Sequence, residues 1–544
     1  MRFLGINAVF HDPAAALVVD GRIVAAAEEE RFSRRKHGKQ AVPFSAWEQP
    51  GQAARWCLER AGLTAADLDA VGFSYDPDLV EPGLAGHDPS GEELRTEFAR
   101  RAPKFLASEL PGLDQRKVRF VRHHVAHAAS AALAGPPGDS AVLVADGRGE
   151  STSYLAGEYR DGRFKELAAQ KLPHSLGLFY EDLTEHLGFA RSSDEYKVMA
   201  LASYGGPVHL DYLRERVYVT GDGGFRTELI DWSALAPRCS PGDELTRRHA
   251  DLASSVQQVL EEVLLDLARW LHDRTGQRTL TLAGGIALNC VANTRLHAES
   301  PFESIWIQPA AGDAGTALGA ALQLAADAGE RIELMSGAAL GREWTDDELE
   351  AILQKAKLDY ERPDDVSDAV AEALAGDQIV AWFQGRAEFG PRALGCRSLL
   401  AHPGRAGNLE RLNDVKGREQ FRPVAPMVLA DRAEEIFSRG PFPSPYMLFV
   451  HDVADAWRER LPAVTHVDGT ARVQTVDPAD DPRTARMLSG FADRTGLPVV
   501  VNTSLNTAGR PMVDSPRDAL ECFGSAPVDV LALGPFLVRR HRSR

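Results

Sequence analysis

His123 and His127 stand one helical turn apart in VRFVRHHVAHAAS, and Asp146 follows at the end of the apolar run AVLVA. On a helix that spacing puts both imidazoles on one face. An acid at the end of a buried strand, opposite two helix-borne imidazoles, suits a divalent cation of borderline hardness. Asp313, in PAAGDAGTALG, sits where a later strand gives way to a helix and is the fourth candidate ligand. A lone HxxxH is more often an ordinary helical feature, and a lone aspartate before glycine a turn residue. The combination is what points to ligation. Such a metal either takes part in chemistry or only holds a phosphate.

Three further groups of residues bear on the choice. His11 and Asp12 lie in the first break between strands, and a neutral imidazole beside a carboxylate suits proton removal from a hydroxyl. The other reading, a turn capped by Asp12 before Pro13 with His11 solvated, stands level with it on sequence alone. The run EEERFSRRKHGK carries Arg34, Arg35, Lys36 and Lys39. Most such runs are solvated faces, but this one follows a hairpin that borders the expected cleft, and Lys36 is the cation placed to reach an anion there. Towards the C-terminus, Arg392, Arg397, Lys416 and Arg422 are embedded among glycine, proline and apolar residues (FGPRALG, FRPVAPMV) rather than among acids. Arginine forks and a mobile lysine charge suit phosphate oxygens. Asn502, Ser504 and Asn506 could add neutral donors to the same anion.

The elements that must position these residues are partly legible. A strand, FLGIN, leads through a break into hairpin arms AAALVV and RIVAAAE around Asp20-Gly21, a two-residue hairpin signal. The same order recurs as AVLVA, the break DGRGE, TSYLAGEY, the turn Asp161-Gly162, and RFKELAAQ. This reads as an internal duplication of a strand–loop–hairpin unit. A helical pattern over 242–275 precedes the strand RTLTLAGG, which runs into IALNCVANTRLHA. Strand, double glycine and helix place backbone N–H groups well for a nucleotide. Little strand signal is left over 325–365, and the domain boundary is expected there, dividing 1–345 from 346–544.

The chain of 544 residues is too long for one core, and its 44% apolar content is that of a globular protein. No apolar run approaches a membrane span, and MRFLGINAVFHDP turns polar too early for a secretory signal. Five scattered cysteines without CxxC spacing point to a reducing cytoplasm. A net charge of −17 weighs against nucleic acid and anionic membrane as partners.

Taken together, FHDPAAALVVDGRI, EEERFSRRKHG, HHVAHAAS, LAGGIALN, FGPRALGCRSLLAHP, FRPVAPMV and VNTSLNTAGRPM resemble the NodU/CmcH family of O-carbamoyltransferases, most closely its antibiotic-tailoring members. The resemblance runs from about residue 1 to 535. It implies an α/β protein with an N-terminal duplicated actin-like ATPase domain and a C-terminal YrdC-like domain. The C-terminal domain of the family makes carbamoyladenylate and pyrophosphate from carbamoyl phosphate and ATP. The N-terminal domain passes the carbamoyl group to an acceptor hydroxyl, here that of a small natural product. By that resemblance His123, His127, Asp146 and Asp313 hold an iron-type metal, Fe2+, and ATP enters with Mg2+. His11, beside Asp12, matches the general base. Lys36, Gly147, Lys197, Gly284, Gly285 and Asn289 fall among nucleotide and carbamoyladenylate contacts. Arg392, Arg397, Lys416, Arg422, Arg472, Asn502 and Ser504 fall in the carbamoyl phosphate and ATP site. Where many members carry GDNPGKLMGLA, this chain has SSDEYKVMALA at 192–202, which keeps Lys197 but not the glycines. The acceptor and a homodimeric state are left open. Two competing readings are a small-molecule kinase of the same superfamily and a nucleotide-binding regulator.

Overall fold

A computed structural model describes residues 1–37, 49–81, 83 and 89–540; Lys39 lies outside them. The chain divides into two compact units, Met1–Gly337 and Ala338–Arg544.

The N-terminal unit holds two five-stranded sheets built on one plan. In the first, β1 (Arg2–Asn7), β2 (Ala14–Val19) and β3 (Arg22–Glu28) form an antiparallel run, and β4 (Ala70–Phe73) and β5 (Val118–Phe120) continue parallel to β1, giving the order β3-β2-β1-β4-β5. In the second, β6 (Ser140–Ala145), β7 (Thr152–Arg160) and β8 (Arg163–Lys171) repeat the antiparallel run. After a short hairpin, β9 (Val217–Val219) with β10 (Phe225–Thr227), strands β11 (Thr279–Ala283) and β12 (Ser304–Ile307) extend it parallel to β6. The order β8-β7-β6-β11-β12 matches the first sheet strand for strand.

The hairpin turns match as well. Asp20 and Gly21 have φ of 49° and 75°, Asp161 and Gly162 of 49° and 72°. Positive φ at both central residues is what a two-residue turn needs to follow the right-handed twist of its strands. The duplication read from the sequence is therefore a duplication of structure, and its strand plan is that of the actin-like ATPase fold.

Two helices exchange sheets. Helix His123–Ala132 follows β5 of the first sheet but packs on β6, β7 and β11 of the second. Helix Ala314–Asp327 follows β12 of the second sheet but packs on β1, β2 and β4 of the first. The two helices also pack on each other. Small residues make these crossings close: a Cβ on Gly5 would lie 1.7 Å from the carbonyl oxygen of Ala317, and one on Gly319 equally close to that of Ala126. Their N-terminal ends, carrying His123 and Asp313, are thereby brought to one place.

The double-glycine segment differs from the continuous helix expected after β11. A 3-10 turn, Gly285–Leu288, comes first, and the α-helix Cys290–Glu299 starts only after Asn289, whose side chain caps it by accepting from Ala292 N at 3.1 Å.

The C-terminal unit is α/β, with a mixed seven-stranded sheet in the order Gln474–Val476, Ala425–Leu429, Val499–Ser504, Arg397–Ala401, Val380–Phe383, Val530–Leu533, Phe536–Arg539. Its buried core includes Trp382, Phe383, Leu399, Met427, Val500 and Leu531. Residues 338–345, which composition grouped with the N-terminal part, are tied to this unit. Phe389 N donates to Ala338 O, Gly341 N to Ala387 O, and Trp344 Nε1 to Asp514 O. All five cysteines are free, and no described helix is long and apolar enough to cross a membrane.

Candidate functional site

His123 opens its helix and His127 lies one turn on, so the two rings share a face, with centroids 4.7 Å apart. Asp146 follows the last residue of β6, and Asp313 is the residue before helix Ala314–Asp327. All four are buried, and one ligand atom from each lies within 4.8 Å of the others. His123 Nε2 is 3.3 Å from Asp146 Oδ2 and 3.6 Å from Asp313 Oδ1; His127 Nε2 is 3.6 Å from both.

The donor set fits a cation. His123 Nδ1 lies 3.2 Å from the carbonyl oxygen of Ser74, which can only accept. Nδ1 therefore carries the hydrogen and Nε2 faces the carboxylates, the usual outer-shell control of a metal-binding imidazole. Asp146 is held by its other oxygen, Oδ1, which accepts from Gly285 N at 2.9 Å. Both ring nitrogens of His127 and Oδ2 of Asp313 are buried without a hydrogen-bond partner. Leaving such groups unmatched costs on the order of 1–3 kcal/mol each; a cation among these residues would remove that cost at His127 Nε2, though not at Nδ1, which cannot reach the same ion. Burial alone would push His123 down, but Asp313 and Asp146 outweigh it and hold the ring at about 9. Those imidazoles hold Asp146 well below the carboxylate range against the opposing effect of burial.

His11 and Asp12 come together beside the cluster. His11 Nδ1 is 3.0 Å from Asp12 Oδ2, and its Nε2 faces the cluster, 3.8 Å from Asp313 Oδ2. Burial lowers His11, but Asp313, Asp12 and Asp146 raise it further, to about 10. A cation between those carboxylates would take up their charge and return His11 towards a range where it can accept a proton.

Several residues that pattern reading passed over build the surroundings. Glu150 accepts from His123 N at 2.8 Å and Asp76 N at 2.9 Å, fixing the helix start. Ser175 donates to Gly147 O at 2.7 Å and accepts from Leu178 N, pinning the loop after Asp146 to the helix Leu176–His186. Gly177 allows this approach, since a Cβ there would lie 2.6 Å from Gly147 Cα. Only the serine N-cap signature was available in the sequence to find this clamp.

The expected nucleotide contacts divide. Lys36 is exposed and makes no hydrogen bond or ion pair with a described residue. Gly147 lines the loop beside the cluster, and Gly284, with φ of 91°, lies where a Cβ would strike Ala145 O at 2.2 Å. Gly285 directs its N–H to Asp146 and steadies that carboxylate. Asn289 is spent on capping and on a reciprocal amide pair with Gln257, at 2.9 and 3.0 Å. Lys197 pairs with Asp194 at 3.1 Å and lies over the Phe189 ring.

In the C-terminal unit, Asn502 ties two segments together. Its Nδ2 donates to Ala393 O and Gln474 Oε1, bringing the neighbourhoods of half-buried Arg392 and Arg472 to one strand. Its Oδ1 is buried without a partner. Lys416 Nζ meets Ser504 O at 2.6 Å, Ser504 Oγ at 2.8 Å, and Asn506 Oδ1. Arg422 is partly exposed and lies 3.4 Å from Glu419. Arg397 departs from the anion-site reading: it is fully buried, donates to the carbonyls of Gln384, Gly385, Cys396 and Arg342, and lies 3.7 Å over the Phe383 ring. A guanidinium occupied in this way holds loops in place. Glu388 supports the same turn, accepting from Leu394 N, Cys396 N and Arg397 N through one oxygen.

The family description Carbamoyltransferase N-terminus matches residues 2–322, and Carbamoyltransferase C-terminus matches residues 371–540. Nodulation protein NolNO of Sinorhizobium fredii is 38% identical, over 98% of this chain and 80% of its own. Nodulation protein U of the same species is 38% identical over 96% of each. An uncharacterised protein of Synechocystis sp. is 38% identical over 99% of this chain and 96% of its own. Among solved structures, T. kodakarensis HypF is similar at 14% identity and a TM-score of 0.35, covering 61% of this chain and 49% of that one. With both halves matched in order and relatives aligned along nearly the whole length, the chain belongs to the carbamoyltransferase family.

Proposed function

We propose that this carbamoyltransferase is ATP-dependent and delivers the carbamoyl group to a hydroxyl of a small natural product, as in antibiotic tailoring. The observation that carries the reading is His11, seated on Asp12 with Nε2 facing a buried cluster of two histidines and two aspartates.

Carbamoyl is a poor electrophile until its leaving group is a stabilised phosphate. In the C-terminal unit carbamoyl phosphate, water and ATP (with Mg2+) give carbamoyladenylate, and phosphate and pyrophosphate leave. Lys416, Arg392, Arg422 and Arg472 offset the charge of the two phosphorylated substrates, and Ser504 and Asn502 supply neutral contacts. In the N-terminal unit a divalent metal, Fe2+ by family resemblance, would be held by His123, His127, Asp146 and Asp313 and would supply Lewis acidity. His11 Nε2 takes the proton of the acceptor hydroxyl as its oxygen attacks the carbamoyl carbon, and AMP leaves. Asp12 keeps the ring oriented and stabilises the imidazolium that forms. Lys36 and the loop at Gly147 are available to the nucleotide.

The test is His11→Asn. In a screen of hydroxylated acceptors, carbamate formation should fall at least 100-fold, while carbamoyl phosphate-dependent ATP–pyrophosphate exchange persists. Loss of both activities would overturn the role given to His11. The nucleotide product should be AMP; ADP would point instead to a kinase.

A further inference from the structure

Asp12 has two carboxylate oxygens and a histidine on each. Oδ2 receives His11 Nδ1 at 3.0 Å, and Oδ1 lies 3.0 Å from Nδ1 of His37. Nε2 of His37 in turn lies 2.8 Å from Ser193 Oγ. Donor and acceptor roles follow from the chemistry. A carboxylate only accepts, so each histidine presents Nδ1–H to Asp12, and a neutral His37 has Nε2 left to accept from the serine hydroxyl. The backbone closes the same circuit: Asp12 N donates to His37 O at 3.2 Å, His37 N to Glu30 Oε2 at 2.8 Å, and Asn7 Nδ2 to the carbonyls of His11 and Asp12. Asp12 itself sits at φ 48°, a left-handed conformation that a non-glycine residue holds only when its surroundings over-determine it.

Asp12, Glu30 and His37 are close enough together to suggest a second cation site. Their partners speak against it: both oxygens of Asp12 and both ring nitrogens of His37 are already hydrogen-bonded, and Glu30 Oε2 is taken by a backbone N–H. The arrangement is a hydrogen-bonded chain.

We propose that His37, anchored by Ser193, is a positioning residue for carbamoyl transfer: it locks Asp12 so that Asp12 holds His11 with Nε2 towards the metal cluster. Ser193 lies in the segment 192–202 in which this chain departs from the usual family pattern. That loop is therefore wired to the base. A change in this loop alters proton removal as well as any contact to the acceptor.

The inference rests on His11 being the base, and the two are tested separately. The full chain, labelled with 15N-histidine and loaded with diamagnetic zinc, should show slowly exchanging Nδ1–H resonances for both His11 and His37, assigned by loss in His11→Asn and His37→Phe. In His37→Phe the His11 Nδ1–H resonance should shift and its exchange quicken at least tenfold; in His37→Asn, whose amide can donate to Asp12, it should return most of the way. An unchanged His11 resonance in His37→Phe overturns the proposal, whether or not any acceptor is turned over. Kinetically, with ATP and carbamoyl phosphate, transfer to methanol should drop tenfold or more in His37→Phe, while transfer to hydroxylamine, nucleophilic without a base, stays within about twofold. An equal fall with both probes would mean a merely structural role. If His11→Asn retains methanol transfer, the base reading fails, whatever the resonances show. If His11→Asn abolishes it and His37→Phe leaves resonance and transfer intact, only the positioning role fails.

Discussion

At the scale of single residues, burial decides what a charged group can do. Asp313 is 1% exposed, and one of its oxygens lacks a hydrogen-bond partner, an arrangement that is costly without a cation nearby. Asp313→Asn should therefore abolish the gain in stability that added metal brings, and in the metal-free protein it should lower His123 and His11 from their raised values. Denaturant titrations with chelator and with metal would show the first, and NMR titration of the histidines the second. Arg397 makes the opposite case, a buried cation whose partners are backbone carbonyls. Arg397→Met should cost on the order of 3 kcal/mol or more, lowering the denaturation midpoint of the C-terminal unit. Had Arg397 bound phosphate directly, affinity would fall while stability held.

Glu195 carries a pH signature. Burial, with a further push from Glu181, raises its carboxyl to about 7. Its folded pKa lies above the unfolded value, so the folded state binds the proton more tightly. Stability from this group is present below about 4.5, lost as pH rises, and gone above 7. Glu195→Gln should remove this slope, worth roughly 1–3 kcal/mol between pH 5 and 8, as read from denaturation midpoints across that range.

At the scale of elements, the cluster of two histidines and two aspartates depends on two helices that each pack on the other's sheet. Their contact is set by Gly319, above which the Ala126 carbonyl leaves no room for a Cβ. Gly319→Ala should cost about 1–3 kcal/mol and weaken metal binding, because Asp313 leads into one helix and His123 and His127 ride on the other. Gly524→Ala, in the helix Pro516–Ser525 where a Cβ meets nothing within 4 Å, is the control. It should leave both properties unchanged or slightly raise stability. Isothermal titration with metal, beside thermal unfolding, separates the two effects.

At the scale of the whole molecule, the two compact units carry separate sets of chemical groups: histidines and aspartates in one, arginines and lysine in the other. Arg422→Ala should abolish carbamoyl phosphate-dependent ATP–pyrophosphate exchange, yet the variant should use carbamoyladenylate supplied from outside at close to the normal rate. Product carbamate measured by mass reads the rescue, and its failure would mean that the two half-reactions are not divided between the units in this way.

The sequence by itself determined the duplicated strand–hairpin plan and singled out His123, His127, Asp146 and Asp313, which the fold brings together. Turn dipeptides, strand alternation and the one-turn spacing of His123 and His127 are short-range signals that survive any tertiary arrangement. It could not decide between a base and a turn cap at His11-Asp12. The groups this pair meets, His37 and Asp313, arrive from distant segments. Nor could it show that Gly285 steadies Asp146, that Asn289 is used up as a helix cap, or that Arg397 is sealed among carbonyls. Local pattern reports which face of an element is apolar. What a polar group on that face meets is settled only when helices cross and water is excluded, because the energy of a charge or a hydrogen bond depends on its partners in space and on the medium between them.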